Sequence, residues 1–419
     1  MEIGSRIRFF RIQKNMTQEE LAQEIISISY LSKIENNQTS ASIEVLELLC
    51  NRLGIKLIES EEYAQLKELH DWYQMMVTRK RESAIQFYES YECTNTNDSR
   101  VAIFFVLFEL KYFIFTKQLD KVEAQMKKIE LYKDIFDIRM NYFYEKFAGQ
   151  YFYLKSQFSV AMEHFKEAEE ILTSSVHFES WETADLYYYI GLNDNRMGKL
   201  ALSIVNIQKA LAIYQSLYDL KRSAECQILL GISYEKINEF EMAEKNYMLA
   251  TKVAEGIKDS SLLGLIYHNQ GVLYSKLGKS DHAIEQFLNS LQHKADHMVI
   301  GRLRSIHGLI DEYYKNEDYE QCQKWLETGL DIIENHQDVP EFRIHFTYYD
   351  YLLNQSDNLP RFIEKEVLPF FEGIEHHLQY AYYAEELGKL YQEKNKYKLA
   401  SYYFSKAISS LKKHSHIKQ

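Results

Sequence analysis

The sequence predicts an all-α protein in which a small N-terminal domain is followed by a long array of helical hairpins. The chain has 419 residues, which is too long for one compact core, and its prolines are Pro340, Pro360 and Pro369. A stretch of 339 residues without proline suits stacked helices better than turn-rich β structure. In addition, one pattern of small and aromatic residues recurs without gaps after residue 149.

Composition narrows the class of protein further. The formal net charge is -12, and 33 Tyr and 23 Phe are enough apolar mass for a large core. The most apolar run, residues 101–115, is interrupted by Glu109 and Lys111 and is too short to span a bilayer, and the charged N-terminus does not resemble a signal peptide. We therefore expect a soluble, cytoplasmic protein without cofactor or metal. Four widely spaced cysteines predict small buried side chains: Cys50, Cys93, Cys226 and Cys322.

The first 57 residues have the pattern of four short helices. Thr17 and Glu20 form a capping box at the start of the second helix, a short turn around Ser27 precedes the third, and Gly54 ends the fourth. Apolar residues at helical spacing mark the buried face of each helix: Ile3, Ile7 and Phe10; Leu21, Ala22 and Ile25; Leu31 and Ile34; Ile43, Leu46, Leu49 and Leu53.

The segments "IRFFRIQKNMTQEELA", "SYLSKIEN" and "SIEVLELLCNRLGI" resemble the Cro/C1-type helix-turn-helix family. The turn departs from the family, because it is one residue shorter than usual and lacks the usual glycine. The resemblance implies a recognition helix at about residues 28–36 in the major groove, and a structural ion pair between Arg11 and Glu35. The implied DNA-binding residues are Ser29, Tyr30 and Lys33 at base edges and Gln18 and Asn36 at phosphates, together with Ser27 in the turn.

The net charge of this domain indicates how strongly one copy would bind DNA. Residues 1–57 contain seven basic and seven acidic side chains, so the domain is neutral and the remainder carries the whole net charge. Because general attraction to phosphate is weak, two copies on a palindromic site are expected. The alternative is a helix-turn-helix fold used for protein contact.

The repeated segment is clearest in five copies, beginning at residues 149, 191, 231, 271 and 388. Each opens with glycine; an alanine usually follows twelve residues later, an aromatic residue sixteen later and a small residue nineteen later. The pattern resembles the tetratricopeptide repeat, with a longer period near forty residues. Weaker copies begin near residues 72, 110, 310 and 349. We expect a helix-turn-helix domain at 1–57, a helical connector at 58–67, a right-handed superhelix of about nine repeats at 68–412 and a tail at 413–419.

The first helices of such an array line its concave face. Apolar residues on that face, such as Ile228, Ile232 and Val272, predict either a surface for an extended peptide or packing between repeats. The sequence leaves both alternatives open. Residues counted onto this face and predicted to contact a peptide are Gln150, Tyr153, Tyr188, Asn195, Ile228, Ile232, His268, Val272, Arg304 and His307. The same count includes Ser275 and Asp311.

The whole chain resembles the peptide-pheromone receptors of Gram-positive bacteria, the Rap/Rgg/NprR/PlcR/PrgX family, and most of all its NprR branch. The resemblance implies a dimeric or tetrameric transcription factor whose groove binds a short, secreted and re-imported peptide. It also implies that Asn195 and Asn269 hold the peptide backbone, and that Arg196 or Arg304 meets an acidic group. Peptide binding would then favour one oligomer or one superhelical pitch and so set DNA binding.

Two other functions compete with this interpretation. Rap members dephosphorylate response regulators with a glutamine, and residues 69–92 resemble the start of their N-terminal bundle. Ser99 or Arg100 stands where that glutamine would align, which disfavours catalysis and leaves sequestration of a response regulator open. We expect no enzyme, since neither a phosphate-binding glycine loop nor an HExxH motif occurs. The second competitor is a scaffold that tethers proteins without a small ligand.

Overall fold

The computed structural model describes residues 3–14, 16–36, 38–39, 41–55, 60–91, 99–174, 178–336 and 338–417. This part of the chain contains helices and no strand, which confirms the all-α prediction. The chain divides into two compact units, residues 1–178 and 179–419, a division inside the repeats that the sequence pattern does not reveal. None of the helices in the described ranges has the length and hydropathy needed to cross a membrane.

The first unit contains the N-terminal domain and three helix pairs. Its helices are α1 (Ile3–Gln13), α2 (Gln18–Ala22), α3 (Ile28–Glu35), α4 (Ile43–Arg52), α5 (Ser60–Val77), α6 (Arg81–Ser90), α7 (Ser99–Thr116), α8 (Leu119–Glu130), α9 (Ile138–Leu154) and α10 (Phe158–Leu172). A single 3₁₀ turn, Lys133–Ile135, follows α8. The described part of the predicted connector belongs to α5, so it continues directly into the first repeat.

The second unit contains six further pairs. Its helices are α11 (Ser180–Arg196), α12 (Leu200–Ser216), α13 (Leu220–Lys236), α14 (Phe240–Gly256), α15 (Ser260–Lys276), α16 (Ser280–Gln292), α17 (Val299–Lys315), α18 (Tyr319–Glu334), α19 (Pro340–Leu353), α20 (Leu359–Phe362), α21 (Leu368–Gly373), α22 (His377–Glu393) and α23 (Tyr397–Ile417). A π-helical turn, Ile363–Val367, joins α20 to α21. Residues 413–417, predicted as a tail, continue α23.

Nine helix pairs follow one another in the described residues after the N-terminal domain, as the sequence predicts. Their first helices begin about forty residues apart, and most helices of the central pairs have seventeen residues. Short turns place the two helices of each pair side by side.

Glycine and an aromatic ring determine how the helices of a pair meet. A Cβ atom on Gly149 would stand 2.5 Å from the ring of Phe165, and one on Gly271 or Gly388 would stand 2.6 Å from Phe287 or Phe404. The rings therefore occupy the space that a side chain at the glycine would need. The alanines twelve residues after the glycines, such as Ala161, Ala243 and Ala283, are fully buried.

The turn inside each pair carries a backbone feature that the sequence pattern does not show. Seven residues after the start of each clear copy, φ is positive, whether the residue is glycine, as in Gly198 and Gly278, or not, as in Ser156 and Asn238. In the turn at Asn238, the next amide donates to the carbonyl of Tyr234 at 2.9 Å. This pattern ends a helix in a left-handed residue, and it recurs because the pairing needs a sharp stop at that position.

We predict that Gly149→Ala lowers the stability of the protein by about 1–3 kcal/mol, because the new methyl group collides with the buried Phe165 ring. Gly256→Ala is the matched control, since Gly256 lies in helix α14 and a Cβ there would meet nothing within 4 Å. Alanine in a helix is favoured over glycine by roughly 0.5–1 kcal/mol, so the control should be neutral or stabilising. Thermal unfolding of both variants checks this; equal melting temperatures would contradict the close-contact argument.

Candidate functional site

The N-terminal domain closes around a small apolar core. Ile7, Leu21, Leu31 and Leu49, one from each of its four helices, are fully buried. The capping box is present, with the Thr17 hydroxyl accepting from the Glu20 amide and the Glu20 carboxylate accepting from the Thr17 amide. The third helix spans Ile28–Glu35, which agrees with the predicted recognition helix.

The turn between α2 and α3 achieves its sharp bend without glycine. Glu24 adopts a φ of 61°, the left-handed conformation that glycine supplies at low cost. The amides of Ile25 and Ile26 both donate to the carbonyl of Ala22, at 2.9 and 3.0 Å. Ser27 then caps α3, its hydroxyl accepting from the Tyr30 amide at 3.2 Å. The missing glycine therefore changes the local strain and leaves the recognition helix in place.

Arg11 and Glu35 form the ion pair that the family resemblance implies. Arg11 donates from Nε and Nη2 to the two carboxylate oxygens of Glu35, at 2.6 and 2.9 Å, and from Nη1 to the carbonyl of Met16 at 2.9 Å. Hydrogen bonding to Glu35 raises the pKa of Arg11. Gln18 donates to the same carboxylate at 2.7 Å, so this predicted phosphate contact also has a partner inside the domain.

The predicted DNA-binding residues differ in their exposure. Ser27, Ser29, Lys33 and Asn36 are exposed along and beside α3, whereas Tyr30 is half-buried against the core. The Oδ1 atom of Asn36 accepts from Arg8 at 3.2 Å. Ser29 and Lys33 therefore offer the most accessible polar atoms on the recognition helix, four residues apart on one face.

We predict that Arg11→Lys destabilises the N-terminal domain, because lysine keeps the charge but cannot bind both carboxylate oxygens and the Met16 carbonyl together. Glu35 is almost fully buried; removing its partner altogether would cost about 3–5 kcal/mol, and Arg11→Lys, which keeps the positive charge, should cost less than this. The expected result is faster proteolysis within residues 1–55 and weaker DNA binding. Arg8→Lys is the control, because the exposed Arg8 lies on the same helix and bonds to Asn36 through one nitrogen, which a lysine can also do. Unchanged proteolysis of the Arg11 variant would contradict a structural role for the pair.

In the second unit, polar side chains join successive first helices. Asn195 on α11 donates to the Ser233 hydroxyl at 2.7 Å and accepts from Lys236 at 2.6 Å, both on α13. Asp185 accepts from the buried Arg222 at 2.8 Å in the same way. Asn195 thus has its polar atoms engaged within the fold, at the position where the family resemblance assigns it to a peptide backbone.

Several predicted groove residues lie inside the packing between helices. Gln150, Asn195 and Ile228 are 1%, 4% and 4% exposed. Gln150 accepts from Lys111 at 2.5 Å, and Ile228 belongs to a core cluster that includes the half-buried Ile232. These three residues therefore pack between repeats, which is the second of the two alternatives that the sequence leaves open.

Other candidates are more accessible. Tyr153 and Tyr188 are half-buried; Tyr153 packs on Phe158 at 5.7 Å, and the Arg222 guanidinium lies 4.3 Å above the Tyr188 ring. Arg196 is exposed, and Asn269 donates to the carbonyl of Leu265 in its own helix at 3.0 Å. None of them lines the cavity described next.

Four predicted groove residues meet at one cavity of about 390 Å³ in the second unit. His268 and Val272 come from α15, and Arg304 and His307 from α17. Ser275 and Asp311, which the sequence also places on the concave face, line the cavity as well. The structure adds residues that the sequence analysis did not select: Glu341, Phe342 and His345 from α19, Gln379 from α22, and Lys276, Phe287 and Gly308. Their positions depend on how three repeats stack, which a single repeat pattern does not specify.

Two glycines open the cavity onto an aromatic ring. A Cβ on Gly271 would stand 2.6 Å from the Phe287 ring, and one on Gly308 would stand 2.5 Å from the same ring. Phe287 therefore reaches between α15 and α17 and forms part of the cavity wall, with His268 packed on it at 5.7 Å. An apolar or aromatic ligand group would find a fitted surface here.

The cavity combines this apolar wall with imidazoles and charged groups. The rings of His307 and His345 are 4.6 Å apart, and Nδ1 of His345 lies 2.5 Å from the Tyr383 hydroxyl. Burial is the main cause that lowers the pKa of His268 and of His307 to about 3. Both rings are therefore neutral at physiological pH and can serve as hydrogen-bonding groups, while Arg304 is exposed at the cavity and can attract a carboxylate.

Cys50, Cys226 and Cys322 are buried and free, as the sequence predicts for them, and Cys93 lies outside the described residues. Within those residues, no group of three His, Cys, Asp or Glu side chains is arranged to hold a metal ion.

We predict that the stability of the second unit falls with acid because of these histidines. The unfolded chain protonates His307 near pH 6.5, but the folded protein resists protonation until about pH 3, so stability is lost progressively as the pH falls through this interval. His307→Gln removes one such group, and its melting temperature should decline less steeply than wild type between pH 7.5 and pH 5. His336→Gln, outside the cavity, is the control. Parallel curves for wild type and the His307 variant would refute the assignment.

Comparison with known proteins places this fold and site in a family. Residues 7–60 match the helix-turn-helix family, and residues 182–256 and 265–297 match tetratricopeptide repeat families. The chain is 39% identical over 402 residues to the transcriptional activator NprA of Geobacillus stearothermophilus, which covers 94% of this chain and 99% of the relative.

Solved structures show the same fold. The apo form of the quorum sensor NprR from B. thuringiensis has a TM-score of 0.70 at 19% identity and covers 84% of this chain and 100% of its own. NprR in complex with its cognate peptide NprX has a TM-score of 0.62 at 20% identity, covering 85% and 99%. The chain belongs to the Rap/Rgg/NprR/PlcR/PrgX family.

Proposed function

We propose that this protein is a quorum-sensing transcriptional regulator, which binds promoter DNA through α3 and is switched by a short signalling peptide bound at the cavity between α15, α17 and α19. The observation that carries the proposal is the combination, in one chain, of an exposed recognition helix and a cavity where four predicted groove residues meet. A relative 39% identical along nearly the whole chain, named a transcriptional activator, supports the DNA-directed part.

The DNA-binding part rests on the exposed face of α3. Lys33 and Ser29 can donate to base edges, and the exposed Asn36 and Ser27 lie at the two ends of the helix, where they can approach phosphates. Tyr30 is a further candidate at its half-buried edge. Because the domain is electrically neutral, one copy gains little from counterion release, so the proposed binding unit is a dimer or tetramer on a palindromic site.

The peptide-binding part rests on the cavity. NprR, which has the same fold, was solved with its cognate peptide NprX. In this chain, Val272 and the Phe287 ring can accept an apolar side chain, the neutral His268 and His307 can hydrogen-bond to the peptide backbone, and Arg304 can meet an acidic group. Asn269, Arg196, Tyr153, Tyr188 and Ile232 remain predicted contacts for the rest of an extended peptide, whereas the burial of Gln150, Asn195 and Ile228 argues against direct contact.

A catalytic function is not part of the proposal. NprA is named an activator and not an enzyme. At the position where Rap proteins carry a catalytic glutamine, this chain has Ser99 or Arg100; Arg100 pairs with Asp137 at 3.4 Å and packs on Phe104. These contacts give Arg100 a structural role. Sequestration of a response regulator is kept as an outcome of the experiment below.

The test is fluorescence anisotropy at fixed salt, with the promoter DNA adjacent to the gene and a synthetic peptide from a small secreted reading frame next to it. We expect the peptide to change DNA affinity several-fold. Lys33→Ala should weaken specific binding about tenfold or more, since a base contact contributes roughly 1–3 kcal/mol. Lys245→Ala, an exposed lysine on α14, should have no effect.

A second pair of variants separates the ligand site from the DNA site. Arg304→Gln should leave DNA binding without peptide unchanged and weaken the peptide response, whereas the exposed Arg361→Gln should leave both unchanged. If the peptide changes nothing while DNA still binds, the repeats serve a protein partner, and a response regulator becomes the first candidate to test.

A further inference from the structure

A second cavity, of about 460 Å³, lies in the first unit and is independent of the proposed peptide site. It is formed by α7, α8 and the segment that follows α8. Its wall is mostly apolar and includes Ile103, Val106, Ile129 and Tyr132. Both its volume and its apolar lining are typical of sites for small organic molecules.

Two charged side chains line this cavity, and they differ in how far their hydrogen-bonding capacity is used. The carboxylate of Glu109 accepts from the Tyr88 hydroxyl and from Gln125 Nε2, each at 2.8 Å. Glu109 is thus held by two donors on the side of α6 and α8. Lys128 is exposed, and in the described ranges no carboxylate lies within ion-pair distance of its ammonium group.

The wall beside Lys128 is held in place by a direct tie between the two helices. Gln125 Nε2 also donates to the main-chain carbonyl of Val106 at 2.9 Å, which links α8 to α7 one turn before Lys128. The cavity therefore exists between joined helices, and an entering ligand does not have to separate them. The lower cost of ordering such a preformed site favours binding.

We propose that this cavity binds a small amphipathic carboxylate, whose apolar tail lies between α7 and α8 and whose acid group pairs with Lys128. The apolar wall selects the tail, and the available ammonium group selects the acid. An amine is disfavoured beside Lys128, because the ammonium group of Lys128 would repel a second cation. A neutral alcohol of the same length would gain the apolar contacts only.

The experiment uses the full chain and three probes of equal length: decanoate, decan-1-ol and decylamine, each below its micelle-forming concentration. Binding is measured by isothermal titration calorimetry at pH 7.5. We expect saturable binding of decanoate, with an affinity at least about fivefold higher than that of decanol, and weaker binding of decylamine. Ala102→Phe, which fills the cavity, should abolish decanoate binding, with circular dichroism as the check on folding.

The lysine is tested with a matched neighbour. Lys128→Gln should reduce the affinity for decanoate to that for decanol and leave decanol binding unchanged, whereas Lys127→Gln, an exposed lysine on the same helix outside the cavity, should change neither. No saturable decanoate binding up to about 1 mM, equal effects of the two lysine variants, or tighter binding of decylamine would each overturn the proposal. If Ala102→Phe fails to fold, the lysine pair still decides.

Discussion

The contact between a glycine and an aromatic ring sixteen residues later is the constraint on which the repeats depend. At Gly149, Gly271 and Gly388 the ring stands where a side chain would have to be, so the two helices of a pair can approach only if one of them lacks a Cβ atom at the crossing. In the pair with Gly191, Ile207 takes the place of the ring, again sixteen residues after the glycine. Because every repeat buries its apolar face only against its neighbours, this crossing fixes the geometry that each pair passes to the next.

The same constraint shapes the cavity in the second unit. Phe287 fills the crossing with Gly271 in its own pair and also reaches Gly308 in the following pair. One ring is thus in contact with two successive first helices, and its remaining surface faces the cavity. Other inward positions hold polar side chains that bond to the next first helix, as Asn195 does to Ser233 and Lys236. Such bonds continue around the cavity, where Nδ1 of His268 lies 3.1 Å from the Ser305 hydroxyl on α17 and Asp311 accepts from the Tyr349 hydroxyl on α19 at 2.8 Å.

Much of this architecture can be predicted from the sequence, because a glycine, an alanine and an aromatic ring at fixed spacing specify how the two helices of a pair pack. The helix-turn-helix domain is equally readable, down to the capping box and the ion pair of Arg11 with Glu35. The residues that line the groove are harder to predict from the sequence. Which side chains face the groove depends on the phase of each helix, and Gln150 and Ile228, counted onto the open face, are buried in the packing between helices. His345 and Phe342 were missed because they come from a degenerate repeat whose placement depends on tertiary stacking. The left-handed turn residues carry no consistent residue type, so Asn238 and Ser156 give no signal of their own.

The position of the cavity gives the proposed switch a physical basis. Its lining comes from α15, α17, α19 and α22, the first helices of four successive pairs, together with the Phe287 ring from α16. A ligand bound there contacts helices that otherwise touch mainly their neighbours, and it favours whichever relative arrangement gives it the best contacts. In an array without a common core, a change of angle at one step is carried forward by every later pair. In the proposed mechanism the neutral N-terminal domain binds DNA as two copies, so even a modest change in how two copies associate would alter DNA binding. An acidic sensor is compatible with this mechanism, since the repeats themselves need not approach the DNA.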